Sequence, residues 1–442
     1  MTDTIAPLSL GDRRSASESD EQGRPTAETV LKKKKRVFIY GINYAPEPIG
    51  VGRFTGEIGA FLVKEGLTIE VVTAPPHYPG WKIAPPYRNR FSREHQGSVR
   101  IIRCPLLLKG DSGGIWRLLA PLSFAILSAP VAIARILALR PDIVFCVEPT
   151  LLSAPAALLA AKLIGARTVL HIQDLEVDAA FAVGHLRKGM LERVAAAFER
   201  VVLGGFDAVV TISNRMRDRL EAKGVPSVRL SVVRNWVDLE KIKPRLEQSE
   251  IRQEFDLPKD KFIALYAGNI GLKQALPLLL ETAKILNHEP NLIFVIAGEG
   301  PEKEKLIDRY GHLDNVRFLP LQPEEKLCDL LNMADVHVLP QHRLAADLVL
   351  PSKLGGMLAS GKPCIVMADI GTELYEFLFG AAILTPAGDV TALANAVRNA
   401  MAGDAAGGQE LRLRLAQKLR ADLNLDVLAR TIQNADSLLP HS

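Results

Sequence analysis

The residues with the clearest chemical use are two lysines set beside glycine-rich turns. In Lys261–Gln274, KFIALYAGNIGLKQ, an apolar run of strand length, Phe262–Ala267, breaks into Gly268-Asn269-Ile270-Gly271 and reaches Lys273 and a helical segment, Gln274–Asn287. A buried strand, a glycine turn and a helix start leave free backbone N–H groups at the carboxyl edge of a sheet, a place suited to an anion. Lys273 adds a full positive charge, so the stretch fits a diphosphate that must leave as an anion. Taken alone it fits an ordinary strand-to-helix turn with a surface lysine equally well. The second lysine stands in Pro351-Ser352-Lys353, ahead of the helical segment Leu354–Ser360, with Ser352 expected as its N-cap. Lys353 reads either as a further phosphate contact or as a helix-surface lysine. Between the two lysines, Gly298-Glu299-Gly300-Pro301 and Pro320-Leu321-Gln322-Pro323 also follow strand-like runs. Gly268, Asn269, Gly298, Glu299, Leu321, Ser352 and Lys353 are therefore the diphosphate-binding candidates of this half.

The first half carries its own set. Gly50 and Gly52 lie in a loop, Gly41–Gly52, after the strand Val37–Tyr40, and permit close backbone approach to a ligand. That loop is long and proline-rich and lacks tight G-x-G-x-x-G spacing, which disfavours a nicotinamide cofactor. Ala74–Gln96 reads as a long loop with Tyr78, Trp81 and Tyr87; aromatic faces there suit a sugar or lipid-linked acceptor, or else plug the sheet. His171-Ile172-Gln173-Asp174 ends the strand Thr168–Ile172 and is expected to face a cleft. Asp174 can take a proton from an acceptor hydroxyl, or cap a helix. His171 has a core histidine as its alternative, and Glu148 is a weaker acceptor contact. There is no Asp-x-Asp pair near a strand end and no His/Cys cluster, so neither a metal nor a cofactor is expected.

The elements that must position these residues alternate. Apolar strands separated by helices through both halves predict an α/β protein with two Rossmann-like, doubly wound domains facing a cleft and a helical C-terminal tail. The expected boundaries are a disordered tail over 1–35, a first domain over 36–235, a linker over 236–250, a second domain over 251–403, and C-terminal helices over 404–442. Leu118–Ala134 carries no charge over 17 residues and is bracketed by Arg117 and Arg135. That is marginal for a spanning helix and contains Pro121 and Pro130, so a partly membrane-facing or an internal helix is expected. The 442-residue chain has net charge +4, with no basic stretch interleaved with aromatics, which argues against nucleic acid as partner. Its four cysteines lack metal or redox spacing, and its first 30 residues have no apolar segment of signal-peptide type. The run Lys32–Arg36 suits an anionic membrane surface. These features would serve a cytoplasmic protein peripherally bound to the inner face of the membrane, an expectation that waits on the resemblance given next.

Together these pieces resemble the nucleotide-sugar glycosyltransferases of the GT-B fold, retaining family four. The resemblance rests on Gly268 through Lys273, Gly298–Pro301, Phe318-Leu319-Pro320, Ala334-Asp335-Val336, Pro351–Leu354 and Gly361-Lys362-Pro363, in that order and spacing. GINYAPEPIGVGRFTGE, TAPPHYPGW and LHIQDLEVDA are similar to the narrower colanic-acid group. The resemblance implies a retaining, metal-independent hexosyltransferase. Its donor, bound by the second domain, would be a nucleotide-sugar, GDP-fucose in the colanic-acid group, and its acceptor, bound by the first, a lipid-linked saccharide. It places His171 near the donor sugar and gives Lys273 the charge of the leaving phosphate. Three positions depart from the family: Gly356 and Leu348 stand where it has two glutamates, with Asp347 one residue out of register, and Asn269 stands where it has an arginine. A nucleotide-sugar epimerase on the same fold, or a degenerate scaffold of a polysaccharide complex, stays open beside the transferase.

Overall fold

The computed structural model describes residues 34–108, 115–149, 151–175, 189–245, 249–341, 350–404 and 407–433; the side chains of residues 115–118, Leu191 and Lys273 lie outside that description. The expected tail is outside it up to residue 33, as are Lys32, Lys33, Asp347 and Leu348.

Two mostly parallel sheets carry the chain. In the first, β1 (Arg36–Tyr40), β2 (Thr68–Thr73), β3 (Ser92–Gln96), β4 (Val99–Arg103), β5 (Ile143–Glu148), β6 (Arg167–Ile172), β7 (Ala208–Thr211) and β8 (Leu230–Val232) lie in the order β3-β4-β2-β1-β5-β6-β7-β8. The second comprises β9 (Phe262–Ala267), β10 (Leu292–Ala297), β11 (Val316–Leu319), β12 (Val336–Leu339), β13 (Cys364–Met367) and β14 (Ile383–Thr385), ordered β11-β10-β9-β12-β13-β14. Helices cover both faces, so the central strands are buried along most or all of their length and read as unbroken apolar runs. The strand order reverses between β1 and β5 in one sheet and between β9 and β12 in the other. A crevice opens beyond the carboxyl ends at such points.

Several local expectations are corrected. Ala74–Gln96 is not loop throughout: Ser92–Gln96 forms β3, the antiparallel edge, pairing Arg93 with Ile102. Its SREHQ sequence is polar because edge strands are shielded by charge rather than burial. Helix α1 spans Gly50–Lys64, so Gly50 and Gly52 are its first turn, not a loop before it. The helix expected from Gln274 is instead a short 3-10 turn, Leu272–Gln274, broken at Ala275 (φ 51°) before a helix over Leu276–Ile285. Strand β14 carries no expectation from the sequence.

Helix α2 runs over Ile115–Leu139, longer than its uncharged stretch. Phe124, Ser128, Ala132 and Ile136 pack into the first core, whereas Leu122, Ile126, Leu127 and Leu137 are exposed. Arg135 is not a free bracket: it donates through two nitrogens to the buried carboxylate of Glu70, at 2.6 and 2.8 Å. Helix α3 (Ala154–Ile164) packs beside α2 and adds the exposed side chains of Leu159 and Leu163.

Among the described residues, the halves are joined by two crossings. The start of the expected linker is core: Trp236 is buried, its ring edge-on to Phe54 at 5.1 Å. Val237 then pairs with the returning chain, donating to Leu419 O at 2.8 Å and accepting from Ala421 N at 3.0 Å. The last helix, Ala421–Gln433, buries Leu425, Leu428 and Ile432 against Val37, Ile39 and Ile58 of the first domain.

Candidate functional site

In the second domain the strand ends are fitted together through glycine. A Cβ on Gly298 (φ 152°) would stand 1.9 Å from Gly268 O, and one on Gly300 (φ 159°) 2.3 Å from Ile270 O. The backbones therefore touch: Gly268 N donates to Ala297 O at 2.9 Å and Ile270 N to Glu299 O at 2.9 Å. These positive φ values favour glycine. Lys353 reaches under this turn from the start of the helix Leu354–Ala359. Its Nζ stands 3.3 Å from where a Gly268 Cβ would be, and donates to Tyr266 Oη at 2.6 Å. Tyr266 Oη in turn donates to Asn269 O at 2.6 Å. Burial lowers the ammonium of Lys353 from the ordinary lysine range to about 7 and raises the Tyr266 phenol well above its own. A cation enclosed this way binds an anion more strongly than a solvated one, because the surrounding dielectric is low.

The other candidates of this half are placed less centrally. Ser352 is exposed and makes no cap; Lys353 holds the cap position, because the chain has already turned helical there. Glu299 pairs with Lys303 at 2.6 Å, and Leu321 is half-buried. The backbone of Lys273 lies in the 3-10 turn beside Gly271. A Cβ at Gly356 would meet Leu331 Cδ1 at 3.0 Å and Ile242 Cδ1 at 3.8 Å, so that position faces apolar side chains.

The first domain's edge is built by buried charge. Glu47, only 3% exposed, accepts from Asn43 Nδ2 at 2.8 Å and from the backbone N–H groups of His77 and Tyr78, each at 3.1 Å. Burial raises its carboxyl, while His77 and these hydrogen bonds oppose that. The room left at Gly52 is filled by Glu47 Oε2, 2.2 Å from where a Cβ would stand, and Gly50 faces the Tyr78 ring at 3.0 Å. These two glycines make way for protein side chains. Arg103, 1% exposed, donates to Ala74 O at 2.9 Å and Ala45 O at 2.7 Å, and its guanidinium lies 4.7 Å from the Tyr87 ring centre. One carboxylate and one guanidinium thus clamp the aromatic loop onto the loop before α1. Sequence reasoning passed over both; a glutamate between two prolines in an otherwise apolar loop was the available signal.

Tyr78 occupies the middle. Its phenol is pushed up to about 12 by burial, then by the charges of Glu47 and Asp174, and it acts in turn on Tyr266 of the other domain. Tyr78 thus lies within electrostatic reach of Asp174 in its own half and of Tyr266 in the other. His171 is not open to the cleft: it is 0% exposed, at the end of β6, with its Nε2 3.4 Å from Gln173 Nε2. Burial lowers it to about 4, so it is neutral at pH 7. Glu148 is buried at the end of β5, at the first sheet's reversal point. Trp81 packs on the first core beside His77, their rings 6.0 Å apart, so it acts as a plug.

Comparison with known proteins bears on the whole of this arrangement. Residues 50–236 match the glycosyl transferase 4-like domain and residues 247–422 the glycosyl transferases group 1 family. The chain is 41% identical over 379 residues to the Escherichia coli protein named as a colanic acid biosynthesis glycosyl transferase, WcaI, covering 83% of this chain and 92% of that one. Among solved structures, sucrose-phosphate synthase from Thermosynechococcus elongatus superposes with a TM-score of 0.72 at 17% identity, covering 92% of this chain and 100% of that one. Anabaena HepE, solved in complex with UDP, superposes at 0.63 with 15% identity, covering 90% and 100%. These two likenesses carry the fold, which is GT-B.

Proposed function

We propose, from the premise that this chain belongs to the family-four glycosyltransferases with a glycosyl transferase 4-like first domain and a group 1 second domain, that it moves a hexose from a nucleotide-sugar to a lipid-linked saccharide in exopolysaccharide synthesis. The observation that carries the donor side is the Lys353 ammonium enclosed beneath the Gly268 turn. With Lys273 on the same turn, two lysines supply countercharge to a departing diphosphate without a divalent cation. Tyr78 and Asp174, brought to the opposite edge, suit the acceptor hydroxyl. Asp174 would take its proton, and the neutral His171 would back the sugar pocket rather than exchange a proton near pH 7. GDP-fucose is the proposed donor and retention the proposed stereochemistry, both by analogy with the family and with the name of the Escherichia coli relative.

The lipid-linked acceptor places the enzyme at the inner face of the cell membrane. The packed helices α2 and α3 support this setting, with Leu122, Ile126 and Leu127 exposed on one and Leu159 and Leu163 on the other. Because the other face of α2 is locked to the sheet through Phe124 and the Arg135–Glu70 pair, the helix would lie in the membrane interface and not span it. Two measurements test the reading. Lys273→Ala is expected to cut transfer about 100-fold or more while the variant stays folded; near-wild-type turnover removes its leaving-group role. Leu122→Asp with Ile126→Asp, both exposed, is expected to leave the fold intact and release the protein from anionic vesicles; a folded variant that floats as wild type does defeats the membrane reading.

A further inference from the structure

The two halves also meet at a carboxylate that neither the donor nor the acceptor side uses. Glu373 opens the helix Glu373–Leu378 after β13, in the second domain. Its side chain, 12% exposed, lies at the start of the helix Asn214–Ala222, which follows β7 in the first. Glu373 Oε1 accepts from Asn214 N at 3.1 Å and from Arg234 Nη2 at 2.9 Å, and Oε2 accepts from Arg215 N at 2.9 Å. Arg215 Nη2 returns a hydrogen bond to Gly371 O at 2.5 Å, and the Arg234 guanidinium lies 5.5 Å from the Phe377 ring centre. Ser213 Oγ takes the N–H of Met216, so the opening N–H groups of this first-domain helix are satisfied by its own cap and by a carboxylate from the other half.

Each partner comes from the carboxyl end of its sheet, so this contact spans the opening between the two strand-end edges. The backbone otherwise crosses between the halves only near Val233–Val237 and Leu419–Ala421, among the described residues, and such crossings serve as hinges for closure. Reaction across the opening requires Lys273 and Lys353 on one side and Tyr78 and Asp174 on the other to be held together, since misplacement by an ångström is costly to rate.

We propose that Glu373 is a latch: a positioning residue that holds the two domains in the closed arrangement by seating on the helix start at Asn214-Arg215 and on Arg234. This rests on the glycosyltransferase reading for its kinetic consequence, but its structural consequence does not depend on it. Glu373 touches neither donor nor acceptor and acts by bringing their two sites into register.

The test measures domain separation, nucleotide binding and transfer on the full chain, with Glu373→Gln, Glu373→Ala, Arg234→Ala and the Glu373→Ala/Arg234→Ala double variant. Small-angle scattering of unliganded protein should show a larger radius of gyration in Glu373→Ala, with Glu373→Gln in between. GDP titrated calorimetrically should bind Glu373→Ala within about twofold of wild type, whereas turnover should fall about tenfold. Turnover in the double variant should be no lower than in the worse single variant, the mark of two residues serving one contact. Unchanged scattering and turnover, additive losses, or a loss of GDP binding matching the loss of turnover would each overturn the latch. If Glu373→Ala does not fold, Glu373→Gln and Arg234→Ala decide between the same outcomes. Should wild type transfer no sugar from any donor, the glycosyltransferase reading fails, while scattering still supports or overturns the latch.

Discussion

At the edge of the second domain backbone touches backbone, because glycines at 268, 298 and 300 leave no side chain in the way. At the edge of the first, polar side chains tie the loops together, with Glu47 gathering two N–H groups and Arg103 two carbonyls from loops about 30 residues apart. The difference suits what each edge is proposed to bind. A diphosphate is small and anionic and needs close, fixed N–H groups and a nearby cation. An acceptor saccharide on a lipid is larger, and needs a shaped wall. Buried charge holds an irregular loop in one conformation, since each broken contact would leave a buried polar group unpaired.

Three changes would break or sharpen this contrast. Gly298→Ala should have the largest effect, because its Cβ would stand 1.9 Å from Gly268 O at a φ of 152°. A loss of about 3 kcal/mol is expected, together with weakened nucleotide binding. Chemical denaturation and GDP titration check it, and a variant as stable as wild type would mean that the turns do not pack as described. Glu47→Ala comes next. It strands the N–H groups of His77 and Tyr78 and the Asn43 amide, at a cost of about 2 kcal/mol. The acceptor KM should rise more than the donor KM; an equal rise in both would dissolve the division between the edges.

The smallest effect concerns pH. With Lys353 lowered to about 7, the free enzyme carries the ammonium below that value and loses it above. A bound diphosphate favours the charged form and so raises the lysine again. Affinity for a nucleotide-sugar, whose own diphosphate does not titrate here, should therefore fall about tenfold from pH 6 to pH 8. Lys353→Arg stays charged and should flatten the profile; a flat profile in wild type would mean that the ammonium does not meet the phosphates.

The same contrast explains what the sequence disclosed. Strand Phe262–Ala267 was legible to the residue, because burial on both faces leaves an uninterrupted apolar run. The glycine turn after it was legible because few residues other than glycine hold such φ values. Ser92–Gln96 was not, since an exposed edge strand looks like a polar loop. Gly50 and Gly52 concealed the start of α1, because glycine opposes helix by propensity, and here the space is needed by Glu47 and Tyr78. The clamps of Glu47 and Arg103 join residues 29 to 58 positions apart, a distance at which local pattern says nothing. The enclosure of Lys353 by Tyr266, 87 positions away, was hidden for the same reason.

The central claim is that the second domain's edge is a nucleotide diphosphate site closed by Lys353. Its most direct test is the melting temperature of the full chain against a panel of nucleoside diphosphate sugars, GDP-fucose included, with the matching nucleosides as controls. A ligand at 100 times its Kd adds about 2.7 kcal/mol to stability, enough to raise the melting temperature measurably. The account predicts that a diphosphate sugar raises it, that its nucleoside does not, and that Lys353→Ala removes most of the rise. No rise with any member of the panel, or a full rise surviving in Lys353→Ala, would contradict it.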